Sequence, residues 1–439
     1  MGFRELDDQV GASSRGFVYF VYNIRDTDGV IDNTRSYNPT AVRKLSFEGL
    51  TVSILSHEVS DLCLGKPALN SLSVSATVGN ALSALKRFDD LFLSVWSCNQ
   101  HQHCNSPRSI NSDFAECKCV GKVCLVDVIC FLSKEENLKN PGKALQEPVS
   151  VLLSSKVPGL VRHLEPHASL LEAIDLILGG AQNLVIPLHN PFTRKKLVHK
   201  SSADSTLHNN REYCWLTQED IVRYLLNSIG TFSPTPTHSI GSLNIIETDS
   251  FFTIHYDDPA SSALPLISQS LVKQTSVAIL DTDGKLIDEI SPFTLNFCDE
   301  TVAAAIATLS AGELLAYIEC SDQPEDLIKL VKERLEERNL GPALDLIEEE
   351  SGISSPSSSS DEEFGMGRSG KIAGNSARVG RSTEIIVCYP WSSLVAVMIQ
   401  ALSHRISYTW VIEEDSALVG VVTFSGMIQV LRERLKSLA

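Results

Sequence analysis

Apolar positions along this chain fall into two periods, and the alternation between them recurs. Residues 75–86 (SATVGNALSALK) place Val78, Ala81, Leu82 and Leu85 on one stripe, the spacing of a helix face, behind a capping hydroxyl at Ser75. Residues 92–96 are a short continuous apolar run of strand length, followed by a polar loop to about residue 117. A further strand and helix close the group. The order helix, strand, strand, helix then returns. Ser169-Leu-Leu-Glu172 is a capping-box pattern that opens a helix over 170–178, and 183–188 reads as a strand. A long polar loop, about 189–212, leads to a second strand and helix. In the third group a helix is expected over 257–269, broken or kinked at Pro265. Residues 276–290 are two apolar runs joined by Asp283-Gly284, a strong hairpin signal. Helices are expected over 300–318 and 324–338. The fourth group has strands at 385–388, 408–412 and 418–422, a helix over 391–402 and a closing helix to the C-terminus.

Four windows carry the repeat. They are GKVCLVDVICFL from Gly121, CWLTQEDIVRYL from Cys214, GKLIDEISPFTL from Gly284 and GVVTFSGMIQVL from Gly420. Each ends in Leu at the same offset and has Val or Leu at its third position (Val123, Leu216, Leu286, Val422). Four diverged copies of one strand-to-helix unit organise the rest of the chain. The boundaries are an irregular extension over 1–54, copies over 55–135, 155–230, 238–345 and 384–439, and a linker over 351–383. The linker holds Ser357 to Ser360 beside Asp361, Glu362 and Glu363, then a Gly/Ser/Arg-rich stretch. Such a composition buries too little apolar surface to offset its ordering entropy, so a disordered segment is expected.

Composition narrows the class. The 439 residues are 43% hydrophobic and 21% charged, which is globular. A net charge of −17 argues against nucleic-acid or anionic-membrane partners, which need a basic face. The apolar run 17–22 is far too short to cross a bilayer and lacks a basic region before it, so a cytoplasmic protein is expected. Eleven cysteines, an odd number without an export signal, read as reduced core thiols.

The repeating unit, ending in G-h-h-T-x-x-D-h with h apolar, resembles the CBS domain. Four copies are similar to two tandem pairs, each a Bateman module, within an α/β fold. The plant proteins made only of CBS domains look most alike, and the gamma subunits of SNF1/AMP-activated kinases are similar too. The resemblance implies a regulatory protein that binds an adenosine-containing ligand (AMP, ATP or S-adenosylmethionine) and modulates a partner, with no catalytic residues. Its alternative is a ligand-free scaffold in a kinase complex, and a homodimer is plausible by analogy.

The implied chemistry can be rebuilt from residues. Thr217 stands where strand becomes helix; its hydroxyl and the free N–H groups of the first turn suit a phosphate. Asp220, in the same turn, can accept from two vicinal ribose hydroxyls. In the first copy Asp127 stands at the ribose position and Cys124 replaces the Thr. In the third, Ile287 and Ile290 fill the two positions. In the fourth, Thr423 and Ser425 remain but Gly426 replaces the acid. The first module is therefore the better ligand site. Thr217-x-x-Asp220 is also an ordinary helix start, a cap followed by an acid that suits the macrodipole.

Other motifs carry less. The stretch Cys98, His101, His103, Cys104, Cys117 and Cys119 offers soft and imidazole ligands. Its spacing is poor for zinc: it lacks C-x-x-C, and the loop between the two ends of the stretch is long. Structural thiols are the favoured reading. Gly365-Met-Gly-Arg-Ser-Gly370 spells a dinucleotide motif outside any strand-helix context. The Asp281 to Asp283 stretch fails as a calcium loop because Pro292 stands at its twelfth position.

Overall fold

The computed structural model describes residues 57–88, 91–98, 117–154, 158–188, 208–209, 211–319, 324–348 and 385–438. The N-terminal extension, the 351–383 linker with its serine tract and glycine motif, and the 99–116 loop with His101, His103 and Cys104 lie outside them.

Among the described residues twelve strands form four sheets of three. The first copy contains β1 (Ser71–Ser73), β2 (Leu93–Ser97) and β3 (Lys118–Val123). The second contains β4 (Val161–His163), β5 (Asn183–Pro187) and β6 (Tyr213–Thr217). The third contains β7 (Phe252–His255), β8 (Val277–Leu280) and β9 (Leu286–Ile290), and the fourth β10 (Val387–Cys388), β11 (Tyr408–Ile412) and β12 (Leu418–Thr423). In every sheet the first strand runs parallel to the middle one and the last runs antiparallel to it.

One helix joins the parallel strands and another closes each copy. In order they are α1 (Val78–Phe88), α2 (Leu125–Leu132), α3 (Leu170–Leu178), α4 (Gln218–Asn227), α5 (Leu264–Lys273), α6 (Pro292–Leu295), α7 (Leu394–His404) and α8 (Phe424–Leu438). Ser169 caps α3 as its pattern requires, accepting from the Glu172 N–H at 3.2 Å. Two expectations are corrected. The cap of α1 is Thr77, not Ser75: Thr77 Oγ1 accepts from Asn80 N–H and Asn80 Oδ1 accepts from Thr77 N–H, both at 3.1 Å. Pro265 does not break a helix over 257–269; it sits in the first turn of α5, where its missing N–H costs nothing.

The middle strands read as continuous apolar runs because both faces are covered. Leu184 and Ile186 of β5 enter one core and Val185 between them enters another. Val277 and Ile279 of β8 are divided from Ala278 in the same way. One face of each sheet carries its helices and the other meets a second sheet. The first and second sheets meet around Trp96, Cys119, Val185 and Tyr213, and the third and fourth around Ala278, Tyr408, Trp410 and Val421. The helical faces then pack like with like. Helices of the first copy share a core with the third, and those of the second share one with the fourth. Ion pairs mark both seams: Lys86 with Glu300 at 2.7 Å and Arg432 with Asp175 at 2.9 and 3.0 Å. The second pair holds the Asp175 carboxyl below its usual range.

The segments ahead of β1 and β7 cross over to other copies. Val59 and Cys63 lie in the core of the second copy, with Val59 N–H bonded to Ala168 O at 2.9 Å. Ile240 and Ile245 lie in the same core beside the fourth copy, and Glu247 pairs with Val421. This crossing explains Gly420. A Cβ there would stand 2.4 Å from the Glu247 carbonyl oxygen, which is backbone and has little room to yield. Gly420→Ala is expected to cost about 1–3 kcal/mol, read as a lower urea midpoint at unchanged slope.

Candidate functional site

The four strand-to-helix junctions set the frame. Aligned by strand pairing, Gly121, Cys214, Asp288 and Gly420 are equivalent, each opposite the middle strand. Three residues on, the caps are Cys124, Thr217, Ser291 and Thr423; three further are Asp127, Asp220, Thr294 and Gly426. The third window is thus corrected: Ile287 and Ile290 lie within β9, and Ser291 is the cap, accepting from Phe293 N–H at 3.2 Å. Gly284 misleads the alignment because it belongs to the hairpin turn, at φ +77°, rather than to the strand.

At the second junction the Asp220 carboxylate accepts from Thr217 N–H and the Thr217 hydroxyl, both at 2.7 Å. It also pairs with Lys66, whose ammonium donates to Trp215 O at 2.9 Å. No local pattern marks Lys66, which arrives from the turn before β1. At the first junction Asp127 is buried and accepts from Cys124 N–H at 2.9 Å. At the fourth, Thr423 donates to Glu247 Oε1 at 3.1 Å and accepts from Gly426 N–H at 3.2 Å. Ser425 is half-buried in the first turn of α8.

A cavity of about 1030 Å³ opens where all four copies meet. Asp127 and Thr217 line it; Asp220, Thr423 and Ser425 do not. Cationic side chains on its wall are Lys122, Arg223 and Arg405, and acidic ones include Asp127, Glu219 and Glu289. Lys122 donates to Asn183 Oδ1 at 2.6 Å and lies 4.4 Å from the Phe92 ring centre. Arg223 pairs with Glu219. Arg405 ends α7 in the left-handed conformation, at φ +57°.

On the cavity wall, half-buried Glu289 stands between the third and fourth sheets. It accepts from the Tyr408 hydroxyl at 2.6 Å and from the Trp410 indole N–H. Burial pushes its pKa up, and burial with the Glu289 charge pushes Tyr408 well above the ordinary phenol range. Neighbouring Asp288 is raised from 3.8 to about 6, chiefly by burial. Elsewhere, Cys98 and Cys117 meet His208, a residue the sequence reading did not connect with them. Cys119 stands apart, buried, its thiol donating to Gly121 O at 3.4 Å.

Four βαββα units, paired through their sheets and carrying an acid at the closing-helix start of two, define a protein of four CBS domains in two Bateman modules. Comparison with known sequences agrees. The chain is 45% identical over 401 residues to CBS domain-containing protein CBSX5 of Arabidopsis thaliana, covering 88% of this chain and 100% of that protein. It is 29% identical over 414 residues to CBSX6 of the same plant, covering 87% and 94%. It is 21% identical over 406 residues to the Arabidopsis SNF1-related protein kinase regulatory subunit gamma-like PV42b, covering 88% and 97%. No family model matches. The chain belongs to the CBSX family of CBS-domain proteins. No helix among the described residues is long and apolar enough to cross a membrane.

Proposed function

We propose that this protein binds an adenosine-containing ligand of the AMP, ATP or S-adenosylmethionine class in the central cavity and passes the change to a partner protein. The observation that carries this is the wall itself. It joins Asp127, a first-turn carboxylate, to the Thr217 helix start and to the cations Lys122, Arg223 and Arg405. A carboxylate can take ribose hydroxyls while helix N–H groups and cations take phosphate. The volume is ample for a nucleotide. Ligand at this point touches all four copies, so binding that favours one packing over another shifts their arrangement.

Thermal unfolding with AMP, ADP, ATP and S-adenosylmethionine tests it. Ligand at a hundred times its dissociation constant stabilises by about 2.7 kcal/mol. For a module of this size the midpoint should rise by about 5–10 °C. Asp127→Ala should abolish the rise. Well-folded protein that ignores every ligand would sink the proposal.

A second reading has its own observation. Lys66 already occupies the Asp220 carboxylate, and Thr294 and Gly426 replace the acid in the second module. A scaffold that binds protein without nucleotide fits these losses. The gamma-like name of one relative points to a kinase complex as its setting. Capture of a defined kinase subunit by nucleotide-free protein, unchanged by Asp127→Ala, favours this reading.

A further inference from the structure

We propose that Cys98, Cys117 and His208 form a binding site for a zinc ion that ties the first copy to the second. Sγ of each cysteine and a ring nitrogen of His208 all lie within 4.8 Å of one another. Cys98 Sγ is 3.5 Å from His208 Nδ1. Zn–S bonds of about 2.3 Å and a Zn–N bond of about 2.05 Å at tetrahedral angles would put sulfur and nitrogen about 3.6 Å apart. Little movement would be needed to seat the ion.

The ligands come from both copies, and each is held in place. Cys98 and Cys117 are the two stems of one hairpin, flanking the pair Ser97 and Lys118. His208 belongs to the second copy, in a short bridge closed by His208 N–H to Arg211 O at 3.0 Å and Arg211 N–H to His208 O at 2.9 Å. Asn209 fastens that bridge to the hairpin. Its Oδ1 accepts from Cys117 N–H at 3.1 Å and its Nδ2 donates to Cys117 O at 3.2 Å. The His208 ring stacks on Trp96, with centres 3.7 Å apart and planes 3° from parallel. Its Nε2 lies 3.0 Å from the Ser71 hydroxyl oxygen. If Nε2 carries the proton and donates it there, the Nδ1 lone pair faces Cys98. That is the arrangement in which an outer hydrogen bond fixes tautomer and ring orientation for a metal.

The chemistry selects the ion. Two thiolates and a neutral imidazole are a soft donor set that suits zinc over magnesium or calcium. Each thiol gives up its proton as its Zn–S bond forms, and the two negative charges balance the ion. A fourth position remains for water. An alternative for the two thiols alone is a disulfide.

The test uses the full, untagged chain purified from zinc-supplemented medium without chelator. Elemental analysis should find close to one zinc per chain. Cys98→Ser, at an exposed position, and Cys117→Ser should each lose it while keeping the wild-type circular dichroism. Cys298→Ser, in the third copy, should retain it. Replacement by cobalt should give a thiolate-to-cobalt charge-transfer band that weakens in either single variant. Three results overturn the site: folded wild type without zinc or a cobalt spectrum, zinc retained by the Cys98→Ser, Cys117→Ser double variant, or a Cys98–Cys117 disulfide found by mass spectrometry in the zinc-grown protein.

Discussion

Trp410→Ala should lower the stability of the second module by about 4 kcal/mol. Trp410 is fully buried between the third and fourth sheets, edge-on to Tyr408 and Phe251. Truncation removes a large side chain from a core and also takes a donor from Glu289, leaving a half-buried carboxylate with less to hold it. Trp410→Phe separates the two causes, since it keeps most of the volume and removes only the N–H. Urea unfolding of both variants checks this; equal, small losses would show that the carboxylate finds other donors.

The strand that carries Glu289 also responds to pH, through the preceding residue, Asp288. Burial raises Asp288 from 3.8 to about 6, with Glu319 adding like charge, and raises Glu289 in the same direction. A raised carboxyl holds its proton in the folded state after the unfolded chain has released it. Its contribution is therefore complete below the unfolded value and is lost as pH climbs through the folded one. For Asp288 the window is about pH 4 to 6. Across it, the stability of wild type relative to Asp288→Asn should fall. A difference that stays flat would remove Asp288 from the account.

Trp96→Ala should cost the first module about 3–5 kcal/mol. Trp96 is 1% exposed and packs on His208, Tyr213 and His163, all from the second copy. Its indole N–H donates to Ser94 Oγ at 2.9 Å within its own strand. Trp96→Phe should therefore be milder than Trp410→Phe, because the group left behind is a hydroxyl rather than a carboxylate. Chemical unfolding followed by circular dichroism gives both numbers, and the reverse ranking would contradict the reasoning.

What the sequence disclosed, and what it hid, follow from the range of the interactions. Ser169, the β5 run and the hairpin around Gly284 were legible because caps, periodicity and turns are local. The third window went wrong on a local ambiguity: one glycine type serves a strand that needs a close approach, as at Gly420, and a turn that needs positive φ, as at Gly284. Pro265 misled because proline reads as a break unless the helix start is known. The acids Asp127 and Asp220 look alike in sequence, yet one faces the central cavity and the other meets Lys66. Lys66 and His208 lie far along the chain from the groups they meet, and no periodicity connects them.

The like-with-like packing of helical faces has a consequence for how assembly depends on dilution. Two modules that met as separate molecules would part when protein became scarce. Here both are on one chain, so each meets the other at an effective concentration set by the connecting segment rather than by abundance. The chamber at their centre is then available to a single molecule, and its response to a ligand should look the same at nanomolar as at micromolar protein.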